Sequence, residues 1–394
     1  MKDPIYLNQL GIVCALGRGK TEVAARLLAG DASGMISTDE YSPGRKLVLG
    51  VVPSDLPPIP TRNPAYQSRN NRLLLGALQE IQEAVTVIQE RVAPHRFGVV
   101  VGTSTSGIAE AERALRDLHV CGSMPPGFHS GQQEMGNPAV FLADVLGTSG
   151  PAYVVSTACS SGAKALASAA RLLRAGVCDA VLAGGADSLS RFTVAGFSAL
   201  EAVSSEPCNP FSLHRCGINI GEGAALFIVT RETGEIALRE VGESSDGYHI
   251  SAPDPSGKGV VLAMQTALSR AGIRAKDVDY LNLHGTATPQ NDAMEAHAVR
   301  AVFGGDLPCS STKPLTGHTL GAAGAIEAGL CWLALSAANP LRILPPHRWD
   351  GVPDPALPHI HLAGLNERAG RLKLLMSNSF AFGGSNAVVV LGRE

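Results

Sequence analysis

Three residues stand where their types and surroundings could do covalent chemistry: Cys159, His284 and His318. Cys159 lies between an apolar β-branched run, YVVSTA, and a stretch of small residues, SGAKALASAARLLRA, that reads as a helix. A thiol at such a junction meets unpaired backbone N–H groups and the positive helix end, which predicts a lowered pKa and a thiolate nucleophile. The same turn leaves a backbone N–H beside the sulfur, suited to holding an oxyanion. The other seven cysteines (Cys14, Cys121, Cys178, Cys208, Cys216, Cys309 and Cys331) read as reduced, mostly small buried residues, because no C-x-x-C or regular spacing links them. His284, in LHGTATPQND, directly follows a strand; His318, in STKPLTGHTLGAAGAIEA, precedes a Gly/Ala-rich helix. Either histidine alone would read as a hydrogen-bonded structural residue. With a helix-capped Cys they form a candidate nucleophile site, the imidazoles activating the thiol or donating to a developing oxyanion. No H-E-x-x-H or close His pair suggests a metal.

The elements that must position these residues read as alternating strands and helices. Strands are expected at Phe97 to Val101, Ala152 to Ser156, Ala180 to Ala183, Ala225 to Thr230 and Ala387 to Leu391, several of them apolar without alternation and so covered on both faces. Helices are expected at Arg72 to Arg91, Ser161 to Ala175 and Val260 to Ala271. This pattern means α/β with covered sheets. The helix after Cys159 has small residues on nearly every face, which places it at the centre of the molecule. Two halves rhyme: residues 5–17 and 236–248 read as a strand running into a Gly-containing turn, 99–107 (VVVGTSTSG) matches 281–289 (LNLHGTATP), and 154–162 (VVSTACSSG) is paired with 374–384 (LLMSNSFAFGG). The match is one of pattern rather than identity and leaves duplication open. Residues 53–64 and 249–259 read as loops.

The chain has 394 residues, a formal charge of −3, 17% charged and 5% aromatic residues, and 44 glycines. Low charge with many small residues implies a large tight interior or surface hidden in an oligomer. The absence of a basic domain argues against nucleic-acid binding. No apolar run approaches a membrane span and MKDPIYLNQL is not a signal peptide, so a soluble, cytoplasmic protein is expected. GRGKT at 17–21 ends like a phosphate-binding loop, but Cys14 occupies the position of its first glycine. No complete G-x-S-x-G or G-x-G-x-x-G occurs.

Taken in order, STACSSGAKAL, NPF followed by GINIGEGAAL, HGTATPQND, STKPLTGHTLGAAGAIEA and SNSFAFGGSN make the chain resemble the β-ketoacyl-acyl carrier protein synthases of the thiolase superfamily, in their elongating (I/II-like) type. The resemblance covers essentially the whole sequence. It implies a five-layer α-β-α-β-α sandwich of two duplicated halves, 1–234 carrying the Cys and 235–394 carrying the two His, in a homodimer or a heterodimer with a Cys-less paralogue (a chain-length factor). It implies no bound cofactor, because substrates arrive on the phosphopantetheine of acyl carrier protein. In this likeness Cys159 takes the acyl group, and His284 and His318 donate to the malonyl thioester oxygen as decarboxylation makes an enolate. The backbone N–H groups of Cys159 and Phe382 form the oxyanion hole. Lys313, with Glu327 in support, orders the polar network. Thr286 and Thr288 hold the pantetheine arm, Phe211 and Phe380 line the substrate site, and Thr105 lies at the acyl-pocket floor. Arg69 and Arg72 match the region that docks the acidic carrier protein. Neutral donors converging on one oxygen suffice for this chemistry in a dry cleft.

Three departures bear on substrate choice. Ala381 replaces the first Gly of the family's G-F-G-G gating loop, which predicts restricted loop motion. Cys216-Gly217-Ile218 replaces D-G-F, removing a carboxylate beside Arg215, and Thr105 stands where chain length is tuned. These departures lean the pathway toward a bacterial aryl-polyene or polyketide-like route, with housekeeping fatty-acid elongation as the alternative. A chain-length-factor partner subunit, the non-enzyme alternative, would usually lack the Cys. A degradative thiolase would carry a second Cys in the SNSFAFGGSN loop, and a priming synthase would have Asn at position 318.

Overall fold

The structure, a computed structural model, describes residues 4–52 and 55–394. Five strands of the N-terminal half, β1 (Ile5–Cys14), β2 (Phe97–Gly102), β3 (Ala152–Val155), β4 (Ala180–Asp187) and β5 (Gly223–Thr230), lie in the order β3-β2-β4-β5-β1. Five strands of the C-terminal half, β6 (Ile236–Ser245), β7 (Tyr280–Asn282), β8 (Pro308–Ser310), β9 (Leu374–Phe380) and β10 (Ser385–Arg393), lie in the order β8-β7-β9-β10-β6. The first three strands of each order pair in parallel and the remaining pairings are antiparallel, so the two halves have one topology. β1 and β6 meet through Ile5–Leu238 and Tyr6–Ala237, which joins the halves into one continuous sheet.

Unalternating apolar runs form these strands because both faces are buried. Val181 and Ala183 of β4 point into the central core, while Ala180, Leu182 and Ala186 point to the outer core of the N-terminal half. Ala387, Val389 and Leu391 of β10 face the centre, and Val388 and Val390 face the outer core of the other half. Between the sheets lie α3 (Ser161–Arg174) and α6 (Ala323–Leu335); α1 (Arg69–Gln79) and α2 (Asn137–Leu146) cover one outer face, and α4 (Lys258–Ala271) with α5 (Pro289–Phe303) the other. This is the expected five-layer sandwich. Small residues in the central helices are a packing requirement: a Cβ on Gly162 would sit 2.6 Å from the Ala325 nitrogen, and one on Gly324 2.8 Å from the Ala163 nitrogen.

Several expectations change. Segments 5–17 and 236–248 run as strands to Cys14 and Ser245, with Gly17 and Gly247 just beyond at φ 118° and 59°, and the strands themselves carry Gly11 and Gly242. Each admits a covering helix, since a Cβ would fall 1.9 Å from the carbonyl oxygen of Ala77 or of Ala263. The paired segments 154–162 and 374–384 are not equivalents: β3 corresponds to β8 and β9 to β4 by sheet position. Both ran strand-then-small-residue loop, and that pattern recurs too often to fix a pairing. The helix read from Arg72 to Arg91 is two helices, breaking between Gln79 and Gln82 where buried Ile81 turns toward the core. Residues 55–63 and 249–257 are loops, while positions 53 and 54 lie outside the described residues. Among the described residues no helix is long and apolar enough to cross a membrane.

Candidate active site

The nucleophile turn follows β3. Ala158 adopts φ 49°, a conformation that costs a non-glycine residue free energy, and it aims Cys159 inward ahead of α3. Cys159 is 4% exposed. Its Sγ lies 3.1 Å from His318 Nε2, and the backbone N–H groups of Phe382 and Cys159 both face the sulfur. Burial nevertheless pushes the thiol up to about 11, against the lowering effects of Lys313 and those two amides. This corrects the expected thiolate: desolvation outweighs the helix end, and the resting nucleophile is a thiol.

Both imidazoles are held well below their usual range, by burial first and then by the Lys313 charge, so both are neutral. Their rings stand edge to face at 5.3 Å. The Lys313 ammonium lies 3.4 Å from His284 Nδ1, donates to the His284 carbonyl oxygen, and pairs with Glu327 at 2.6 Å. An ammonium can only donate, so His284 Nδ1 is an acceptor and its Nε2 carries the hydrogen. Glu327 is buried, which raises its carboxyl to about 7 while Lys313 opposes the rise. Cys159 Sγ and a nitrogen of each histidine lie within 4.8 Å of one another. Such a set can ligate a soft divalent ion, but Lys313 already supplies positive charge beside it.

These groups open on a cleft of about 320 Å³, lined also by Thr286, Thr288, Phe380, Ala381 and Phe382. The Thr286 and Thr288 hydroxyls are 2.9 Å apart, and Phe380 packs 5.8 Å from the His284 ring. Phe382 rests on Phe197 at 5.6 Å. Ala381 has no positive φ, whereas Gly383 and Gly384 have φ 81° and 78°. In this loop conformation the departure at 381 therefore costs nothing, and the glycines that the turn needs are present. The carboxylate missing after Arg215 is replaced from elsewhere: Arg215 pairs with Asp354 at 2.6 Å.

Of four further expected residues, Phe211 and Thr105 lie off the cleft, and Arg69 and Arg72 have their side chains engaged within the protein. Phe211 (φ 62°) is not among the residues lining the cleft; it lies beneath the His284 loop, against Gly285 and His347. Thr105 turns its hydroxyl onto Asp187 at 2.7 Å and is likewise not part of the cleft wall. Arg69 forms a two-pronged pair with buried Glu222, and Arg72 donates to the carbonyl oxygens of Leu56 and Pro57. Both arginines line a separate surface groove, with their guanidinium donors engaged internally rather than presented as a docking patch. A helix-surface spacing cannot reveal a carboxylate 153 residues away.

Buried acids that the sequence reading missed hold the two ligand loops. Glu295 accepts from the His284 and Gly285 amides at 2.8 and 2.7 Å and from Asn378 at 2.9 Å. Asp292 accepts from the Phe211 and Ala287 amides at 2.8 and 3.2 Å, and burial raises it to about 7. Asp187 gathers five donors, the hydroxyls of Thr103 and Thr105 and the amides of Ser104, Thr105 and Gly321. The available signal was N-D-A-M-E, two acids three apart at the start of a helix directly behind a ligand loop.

Comparison with known proteins gives the same answer as the geometry. Residues 54–234 match the family model "Beta-ketoacyl synthase, N-terminal domain" and residues 236–346 match "Beta-ketoacyl synthase, C-terminal domain". The chain is 32% identical to Nodulation protein E of Rhizobium meliloti (strain 1021), over 99% of both proteins. It is 33% identical to 3-oxoacyl-[acyl-carrier-protein] synthase 2 of Staphylococcus aureus, over 80% of this chain and 82% of that protein. Among solved structures it superposes with TM-score 0.94 and 44% identity on the ketosynthase ApeO in complex with its chain length factor ApeC from Xenorhabdus doucetiae, over 100% of this chain and 98% of that one. A buried thiol against a neutral imidazole, with a second imidazole fixed as a donor, is thus set in a chain that belongs to the β-ketoacyl synthase family, and the protein is a β-ketoacyl-acyl carrier protein synthase, an acyltransferase.

Proposed function

We propose that the protein catalyses decarboxylative Claisen condensation of malonyl-acyl carrier protein with an acyl group held on Cys159, in a bacterial aryl-polyene or polyketide-like pathway. The observation that carries the reaction is the 3.1 Å contact between Cys159 Sγ and His318 Nε2, with the Cys159 and Phe382 amides on the same sulfur. As the thiol attacks the acyl thioester, its proton passes to His318 Nε2, and the two amides hold the oxyanion. Collapse expels the pantetheine thiolate, which takes that proton back. With the sulfur acylated, His318 Nε2 no longer accepts from it, and once the ring's remaining proton has moved from Nδ1 to Nε2 by exchange with solvent it donates alongside His284 Nε2. Malonyl thioester then loses CO2, and the bond's electron pair enters an enolate whose oxygen accepts from both imidazoles. The enolate carbon bonds to the acyl carbonyl, and the departing Cys159 thiolate is reprotonated from solvent through His318. Lys313 and Glu327 hold His284 in the donating tautomer, and Thr286, Thr288 and Phe380 receive the pantetheine arm and the reacting carbons.

The pathway reading is supported by 44% identity to ApeO along the whole chain, above the 33% to the staphylococcal synthase. A heterodimer with a Cys-less paralogue fits two observations: ApeO is paired with a chain length factor, and β3 is a half-buried edge strand with an unpaired side. A cytoplasmic setting suits a substrate carried on acyl carrier protein. Residues 1–234 supply the nucleophile and residues 235–394 the donors. Incubation with saturated, polyenoyl and aromatic acyl-carrier-protein thioesters, in the presence of the partner subunit, tests this reading by the products formed with malonyl-carrier protein. Preference for polyenoyl or aromatic chains is expected. Preference for saturated chains would assign the enzyme to fatty-acid elongation instead.

A further inference from the structure

We propose that Lys164 is a positioning residue: it latches the far stem of the Phe382 loop to the nucleophile helix and so sets the oxyanion-hole amide. The inference rests on the functional reading above. Lys164 lies on α3, in the second turn after Cys159, and its side chain reaches across the two halves to donate to Ser385 Oγ at 2.6 Å. Ser385 begins β10, directly after Gly383 and Gly384. Ser160 Oγ lies 3.1 Å from the same Ser385 oxygen and 3.0 Å from Thr157 Oγ1. A line of polar groups thus ties the nucleophile turn, from Thr157 to Lys164, to the end of the loop that carries Phe382.

The two glycines make the tie consequential. Their left-handed φ values put the permissive joints of the loop between the latch at Ser385 and the amide of Phe382. The loop closes on itself through Ala381 N–H to the Ser385 carbonyl at 3.0 Å and Gly384 N–H to the Ala381 carbonyl at 2.9 Å. Holding Ser385 therefore holds the short ring from Ala381 to Ser385, and with it the Phe382 amide on the sulfur. Lys164 is half-buried and makes no ion pair with a carboxylate among the described residues, so its charge-assisted bond goes to the loop hydroxyl. The mechanism described above assigns it no other use.

The latch acts on acyl transfer, which uses the Phe382 amide, and leaves malonyl decarboxylation, which uses the imidazoles, largely alone. Octanoyl- and malonyl-phosphopantetheine thioesters serve as probes, and Lys164→Met, Ser385→Ala and the double variant as the series. Lys164→Met is expected to slow acylation of Cys159 about tenfold while malonyl decarboxylation stays within about twofold, with unchanged thermal unfolding. The double variant is expected to be no slower than Ser385→Ala alone, because Lys164 acts through that hydroxyl. Lys164→Arg, which keeps a cationic donor, is expected to recover most of the rate. Hydrogen exchange of residues 381–385, read without any substrate, is expected to accelerate in Lys164→Met. Equal loss of both half-reactions, additive single effects, or unchanged exchange in that loop would overturn the latch. A wild-type protein that accepts no acyl group would instead overturn the functional reading and leave the exchange result to decide the latch.

Discussion

Two loops occupy equivalent places in the two halves and do opposite work. Gly102–Gly107 follows β2 as GTSTSG, and His284–Pro289 follows β7 as HGTATP. In the first, the Thr103 and Thr105 hydroxyls turn inward to Asp187 at 2.6 and 2.7 Å. In the second, buried carboxylates grip the backbone only, at His284, Gly285 and Ala287, which leaves the Thr286 and Thr288 hydroxyls to meet each other in the cleft. The difference lies in where the acid is anchored. Asp187 closes β4 and takes side chains as well as amides, making its loop a scaffold that also fixes the Gly321 amide three residues past His318. Asp292 and Glu295 approach from α5, behind their loop, and make it a ligand surface.

The sharpest way to break this comparison is to remove the charge that only the C-terminal loop depends on. Lys313→Met leaves Glu327 buried without its cation and His284 Nδ1 without its donor. It is expected to cost about 3–5 kcal/mol of stability and about a hundredfold in decarboxylation rate, measured by denaturant unfolding and CO2 release. Lys313→Met with Glu327→Met should recover stability and leave decarboxylation slow. Recovery of both would deny Lys313 its role on the imidazole. Asp187→Ala comes next: it takes the acceptor from three amides and two hydroxyls, at about 2–4 kcal/mol, again by denaturant unfolding. If the N-terminal loop is purely a scaffold, the KM for pantetheine thioesters should change far less than stability does. Thr286→Val reverses this pattern, with KM up about tenfold, near 1.4 kcal/mol, and a thermal midpoint within about two degrees of the parent.

How much of this was legible from sequence follows from the range of each signal. The strand runs, the small-residue helix and the five ordered motifs are local, and they gave the layers and picked out Cys159, His284 and His318, which the fold brings together, with Lys313 and Glu327 packed behind His284. What failed was non-local. Arg69 looks like a surface charge until Glu222 closes on it, and Thr105 looks like pocket wall until Asp187 turns it. The raised Cys159 thiol was missed for the same reason, since a helix N-terminus is visible in a sequence and the depth of burial is not.

A pH test bears on the acid behind the C-terminal loop. Asp292 is raised to about 7 by burial, above the ordinary carboxyl value of about 4, so between those values the folded protein binds a proton that the unfolded chain has released. Its contribution is therefore full below pH ~4 and is lost as pH rises through ~7, with a slope of at most about 1.4 kcal/mol per pH unit. Asp292→Asn should flatten the stability curve between pH 4 and 7 by up to that slope, read by urea unfolding. An unchanged curve would mean that the acid is ionised throughout.

The central claim is that one cleft carries two separable steps, acyl transfer to Cys159 with His318 and the Phe382 amide beside the sulfur, and malonyl decarboxylation that needs His284. Measuring the two half-reactions separately in Cys159→Ala and His284→Ala tests it most directly, with intact mass for acylation and CO2 release for decarboxylation. The account predicts that Cys159→Ala loses acylation and keeps decarboxylation, while His284→Ala keeps acylation within about tenfold and loses decarboxylation. Equal loss of both half-reactions in His284→Ala, or acylation that survives in Cys159→Ala, would contradict it.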